Sequence, residues 1–466
     1  MVRPSFYCER SVWYETLLKG IDFMALIIKQ ATLVNNGEMR VCDVKVEGER
    51  IAKIASNITV TDTDSIIDAE GMWLLPGMID DQVHFREPGL THKGRIATES
   101  AAAVAGGITS FMEMPNVSPS TTTAKALADK YAIAAQTSSA NYAFYFGATP
   151  NNLDEIKALD AKSVCGVKVF MGASTGDLLV EHPHALEAIF RESPVLIATH
   201  CEQGEVIQQN QRRLAKRYGE LRIEHHPFIR DELACYASSS YAVSLAKRYG
   251  SQLHVLHLTT AKELVLFSNA PIEQKHITAE ACVHHLWFNQ DDYANYGNQI
   301  KCNPAIKSEQ DRQALLAAVR DGRIDIIATD HAPHTWQEKQ QKYSAAPAGL
   351  PLVEHALLSL LEQVKRGALS LEQVVEKTAH NVAKRFAIEE RGFIREGYFA
   401  DLVLVDPNAE KYVEHTNTHY LCQWTPFNGT TFSHRITHTF VNGECVFDGQ
   451  QVTPHKQAAK ALTFNR

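Results

Sequence analysis

No stretch of this 466-residue sequence holds the roughly 20 consecutive apolar residues that a membrane-spanning helix requires, so no membrane role is expected. An excess of positive charge is also lacking. Forty-six Lys and Arg stand against 54 Asp and Glu, a formal net charge of -8, and nothing resembles the basic stripe that counterion release from nucleic acid demands. A small polar substrate fits this balance better than a nucleic acid. Cysteine is sparse: nine residues are scattered without a CxxC pair, which argues against a disulfide framework and suits a reducing cytoplasm. The first residues, "MVRPSFYCERSVWYETLLKGIDF", are too aromatic and too mixed in charge for a secretory leader, and Met24 opens a strand-like run. Residues 1–23 are therefore expected to be a dispensable extension. With 45% hydrophobic and 21% charged residues, the composition is that of an ordinary soluble enzyme.

What is present is rhythm. From Leu26 to Leu75, short alternating runs with turns ("LIIKQATLV", "VCDVKVEGERIAKI", "SIIDAEGMWLL") read as a small antiparallel sheet. Eight apolar, β-branched runs follow: "GMIDDQVHF", "GITSFMEMPN", "NYAFYFGAT", "CGVKVFMG", "PVLIATHCE", "QLHVLHLTT", "HITAEACVHH" and "IDIIATDHAPH". Stretches such as "ATESAAAVAGG" and "EQDRQALLAAVRDG" between them have helical spacing and caps, so the unit is strand then helix, eight times over. That predicts an α/β fold, a (β/α)8 barrel over residues 76–385. Strand-like runs return in "ADLVLVD" and "RITHTFVNGECVF". Residues 24–75 and 386–466 are expected to form one small β-sandwich from both chain ends.

In such a barrel, chemistry collects at the carboxyl ends of the strands. The first run ends in His84 and Arg86, the fourth carries Lys168, the fifth ends at His200, the sixth at His257, and the eighth at Asp330, His331 and His334. One strand-end histidine is unremarkable, but histidine or aspartate at four ends, with a lysine inside a buried strand, points to a metal centre. Neutral imidazoles and a carboxylate bind zinc, which brings the pKa of a bound water to about 7 when one position stays open. Burying an unpaired ammonium costs several kcal/mol, so Lys168 should be paired, neutralised or converted by carbon dioxide into a carboxylate able to bridge metals.

These residues resemble the amidohydrolase superfamily and, within it, the dihydroorotases, which interconvert N-carbamoyl-L-aspartate and L-dihydroorotate in pyrimidine synthesis. The resemblance covers about Leu26 to Gly449 and rests on "GMIDDQVHFREPG", "EMPNVSPST", "GVKVFMGASTG", "THCE", "HVLHLTT", "IKCNPAIK", "DIIATDHAPH" and "GYFADLVLVD". It implies that His84, Lys168 (carboxylated), His200, His257 and Asp330 hold one or two zinc ions and that Asp330 also shuttles the catalytic proton. By the same resemblance, Arg86, Asn116, Asn303 and His334 hold the substrate. A guanidinium matches a carboxylate bidentately, which a hydantoin or neutral dihydropyrimidine would not repay.

Two departures stand out. Gln82-x-His84 replaces the family's His-x-His, so one metal position should be weakened, because an amide carbonyl is a poorer zinc ligand than imidazole. Lys307 stands where an arginine is common. His254, His284, His285, His331 and Cys201 read as structural or supporting residues, and the backbone at Ala348 and Gly349 is as consistent with a plain turn as with a substrate contact. Two other functions remain open at this level: another cyclic amidase, such as a hydantoinase or allantoinase, or a non-catalytic relative that supports aspartate transcarbamoylase. A homo-oligomer, such as a dimer, is expected.

Overall fold

The computed structural model describes residues 25–172, 178–453 and 458–466; the expected extension at residues 1–23 lies outside them. Eight parallel strands close into a barrel: Met78–Val83, Ile108–Glu113, Asn141–Phe144 continued by Phe146–Gly147, Val167–Gly172, Ile197–Glu202, Leu253–Val255, Ile277–Cys282 and Ile326–Ala328. The ring is completed by a parallel bridge between Val83 and His331, just past the last strand. Most strand residues are buried on both faces, which is why these segments read as continuous apolar runs and do not alternate. Helices pack outside, with side-chain caps where the sequence offers them. Thr123, Asp231 and Ser308 each accept a backbone N–H at a helix start. Gly250 and Gly322 end two of these helices in the left-handed conformation.

The expectation of a helix after every strand fails at the sixth crossover. Between Val255 and Ile277 there are only two short 3-10 turns, Glu263–Leu266 and Ile272–Gln274. The buried Glu263 carboxylate accepts from Thr260 Oγ1 at 2.9 Å, satisfying the segment locally, and Pro271 withholds a helix donor.

The second sheet joins both chain ends. Leu26–Asn35, Glu38–Glu47 and Arg50–Ala55 form antiparallel neighbours, and Trp73–Pro76 pairs with Leu402–Asp406, which pairs in turn with Arg435–Val441. It is not purely antiparallel, as the sequence suggested: Ser65–Asp68 and Trp73–Pro76 both lie parallel to Leu26–Asn35. The connection from Ser56 to Asp64 is long enough to cross over, whereas a hairpin would have forced reversal. A buried polar network pins this sheet to the barrel: Asp401 pairs with Arg391 and accepts from Asn141 Nδ2 at 3.1 Å and from the Asn442 backbone N–H at 2.8 Å. Among the described residues, no helix is long and apolar enough to cross a membrane.

Candidate active site

At the carboxyl end of the barrel lies a cavity of about 120 Å³ lined by Gln82, His84, Arg86, Asn116, Lys168, Phe170, His200, His257, Asn303, Asp330, Ala332, Ala348 and Gly349. Six different strands or their ends contribute, so side chains scattered over some 270 positions in sequence converge on one space.

Two pairs of ligand-type atoms face each other across it. His200 Nδ1 lies 2.9 Å from His257 Nε2. The other nitrogen of His200, Nε2, lies 2.9 Å from Glu202 Oε2, and a carboxylate fixes it as the N–H, which leaves the lone pair on Nδ1. Glu202 is itself paired with Arg230. Burial would raise the Glu202 carboxyl, but Arg230 and His200 overcome this and hold it at about 2. The second pair is His84 Nε2 and Asp330 Oδ1, 3.1 Å apart. His84 Nδ1 donates to Asn116 Oδ1 at 2.7 Å, so a lone pair on Nε2 confronts a carboxylate oxygen. Burial lowers the pKa of all three imidazoles and favours the neutral, ligating form.

Lys168 is only 1% exposed, and among the described residues its amine has no hydrogen bond or ion pair, only the face of Phe170 at 4.7 Å. Burial pushes that amine down to about 8. It is not clamped to an acidic neighbour.

Gln82 presents its amide N–H to this centre: Nε2 donates to Asp330 Oδ1 at 3.2 Å, while Oε1 accepts from Cys282 Sγ at 3.7 Å. Arg86 is 7% exposed and has no carboxylate partner among the described residues; its Nε donates to Pro333 O at 3.1 Å. A terminal nitrogen of Arg86 sits 3.1 Å from His334 Nε2, but that nitrogen donates to Ala348 O at 2.9 Å and Lys93 approaches Nδ1 at 3.2 Å. His334 is thus a brace behind Arg86, whose terminal N–H groups stay available to a ligand. Burial brings Arg86 down to about 10, still charged at neutral pH. Asn303 Oδ1, also buried, has no hydrogen-bond partner among the described residues. Three cavity residues hold left-handed backbone: Arg86, His257 and Asp330 have φ of 72°, 39° and 51°. Gly349, at φ 137°, closes the rim, and a Cβ there would meet Ala332 O at 2.3 Å.

His331 stands apart from the cavity, with Nε2 2.9 Å from Glu99 and Nδ1 accepting the Leu352 N–H. Lys307 is spent on Ala305 O at 2.8 Å. The sequence reading overlooked Glu202 and Arg230; position 202 shares a strand face with His200, and that alternation was the available signal.

Imidazoles, a buried lysine and an aspartate gathered where barrel strands end define a barrel hydrolase. Residues 73–446 match the family model described as the Amidohydrolase family, and the chain belongs to that family. It is 34% identical over 435 residues to a dihydroorotase of Halobacterium salinarum, covering 92% of this chain and 97% of that protein. It is 32% identical over 438 residues to an allantoinase of Solibacter usitatus, covering 92% and 94%. Among solved structures, the L-hydantoinase (dihydropyrimidinase) of Arthrobacter aurescens superposes with a TM-score of 0.89 at 28% identity, covering 94% of this chain and 99% of that one. The protein is a hydrolase acting on a cyclic amide.

Proposed function

We propose that the protein is a zinc-dependent dihydroorotase that interconverts L-dihydroorotate and N-carbamoyl-L-aspartate. Arg86 carries this reading: a buried guanidinium on the cavity wall, with no carboxylate partner among the described residues, calls for an anionic ligand. Dihydroorotate bears a carboxylate on its ring, and a hydantoin or dihydropyrimidine ring bears none.

The donor set fits a divalent metal, because two facing pairs of ligand atoms are each left to be bridged by a cation. His200, His257 and a carboxylated Lys168 would hold one ion, and His84, Asp330 and the same modified lysine would hold a second, weakened by Gln82. When bound, zinc supplies acidified water and polarises a carbonyl. With its amine near 8, Lys168 has a neutral fraction at physiological pH; that nitrogen attacks carbon dioxide, the C–N bond forms, and the amine proton leaves to solvent.

Arg86 pairs with the substrate carboxylate, helped by Asn116 and braced by His334, while Asn303 Oδ1 accepts a ring N–H. Asp330 takes the proton of the attacking water and delivers it to the ring nitrogen as the ring C–N bond breaks. In the synthetic direction Asp330 takes a proton from the ureido nitrogen. The same reading makes this a cytoplasmic enzyme; a homodimer and a complex with aspartate transcarbamoylase are the assemblies to test by sizing. A substrate panel of dihydroorotate, hydantoin and allantoin tests the assignment: turnover confined to dihydroorotate supports it, and preference for either uncharged ring rejects it. Absence of turnover on all three with metal bound would favour the non-catalytic alternative raised by Gln82.

A further inference from the structure

Inside the barrel, three side chains from the first, sixth and seventh strands meet: Asp81, His254 and Glu280, each 0% exposed. None belongs to the cavity-lining set. His254 Nε2 is 3.2 Å from Asp81 Oδ2 and 3.6 Å from Glu280 Oε2. Neither contact has hydrogen-bond geometry: Asp81 Oδ1 and Oδ2, Glu280 Oε2 and His254 Nε2 are all without a hydrogen-bond partner among the described residues.

The neighbours fix how His254 is presented. Thr278 Oγ1 donates to Leu253 O at 3.4 Å and therefore accepts from His254 Nδ1 at 2.8 Å. Nδ1 thus carries a proton, and Nε2 is the atom turned to the carboxylates. A neutral imidazole would set a lone pair against two anions, and no Lys or Arg pairs with Asp81 or Glu280 among the described residues. One N–H on Nε2 would serve one oxygen and leave the others bare, at a cost of several kcal/mol per buried charge. The site calls for positive charge, and without an ion a proton supplies it: burial alone would lower His254, yet the two carboxylates raise it to about 9, while burial and the neighbouring Asp81 raise the Glu280 carboxyl to about 7.

The spacing lets a metal ion take the place of that proton. Ligands at roughly 2.0–2.2 Å from a tetrahedral ion lie about 3.3–3.6 Å from one another, and the observed 3.2 and 3.6 Å are close to that edge length. The Tyr145 hydroxyl is an independent pointer: it too is fully buried without a hydrogen-bond partner among the described residues, and both carboxylates act on it. We propose that Asp81, His254 and Glu280 bind a first-row divalent ion, such as Zn²⁺ or Mn²⁺, as a structural site separate from the catalytic centre. Two carboxylates and a neutral imidazole balance its charge. The other Glu280 oxygen accepts the backbone N–H of His257 at 3.0 Å, so the ion would also stiffen the strained turn that aims His257 into the cavity.

The test is an anomalous difference map from crystals of the full chain loaded with Zn²⁺ alone. A peak bonded to His254 Nε2 and the two carboxylates is expected; density there without a peak, in crystals that show zinc elsewhere, overturns the proposal and leaves the dihydroorotase reading intact. In solution, Asp81→Asn/His254→Gln should lower zinc content by about one ion per chain. Lys168→Ala/His200→Ala/His257→Ala should retain that ion, and a folded triple variant that binds none would contradict the site.

Discussion

Gln82 Nε2 donates to Asp330 Oδ1 across 3.2 Å, so one oxygen of the proposed proton carrier is already engaged by an amide N–H where the family pattern has an imidazole. Replacing Gln82 with His should free that oxygen and raise metal content by about one ion per chain relative to the unaltered protein, as imidazole outcompetes an amide for zinc. Elemental analysis of both proteins after identical zinc loading checks this, and equal contents would mean that Gln82 does not limit occupancy.

Asp330→Asn keeps the shape of the side chain and removes its basicity. Turnover of dihydroorotate should fall by roughly 10²- to 10⁴-fold or more, the usual contribution of a placed general acid or base. Circular dichroism should stay unchanged. Near-normal turnover would exclude Asp330 from proton transfer.

Arg86→Met separates substrate binding from metal binding. Hydrogen bonds to a charged group contribute about 1.5–3 kcal/mol, so KM for dihydroorotate should rise roughly 10- to 150-fold while zinc content holds. Parallel loss of zinc and of substrate affinity would show that Arg86 supports the metal centre and does not read the carboxylate.

Glu202 acts through His200 and can be tested by pH as well as by mutation. Its folded-state pKa of about 2 lies below the ordinary 4.5, so its ionised form contributes stability that is fully present above pH 4.5 and is lost as pH falls through 2. The stability gap between the wild type and Glu202→Gln should therefore narrow steadily between pH 4.5 and 2 in denaturant titrations. The variant should also bind zinc about 10- to 100-fold more weakly at neutral pH, as expected when the partner of a ligating histidine is removed. A gap independent of pH would assign Glu202 a packing role only.

Much of the architecture was legible because the barrel strands are buried on both faces and so stand out as β-branched runs, several of which carry a reactive residue in the strand or at its end: His84, Lys168, His200, His257 and Asp330 all converge on one cavity. Pairing was harder to read. Nothing in the period of "SIIDAEGMWLL" says that Ser65–Asp68 and Trp73–Pro76 run parallel to Leu26–Asn35, since partner choice depends on the crossover and not on the strand. His334 read as a substrate contact, yet its ring is held by Ala348 and Lys93 behind Arg86, a second layer that sequence order does not distinguish from the first. Asp81, His254 and Glu280 were invisible as a group because 173 positions separate the first two and only closure of the barrel brings them together.

The central claim is that Lys168, His200 and His257 hold the metal on which hydrolysis depends, and a paired measurement on one preparation tests it most directly. Zinc content and dihydroorotate turnover should fall together as a chelator strips the protein and should return together when Zn²⁺ and bicarbonate are restored, with no such return in Lys168→Ala. Undiminished turnover in protein shown to be free of metal would contradict the account.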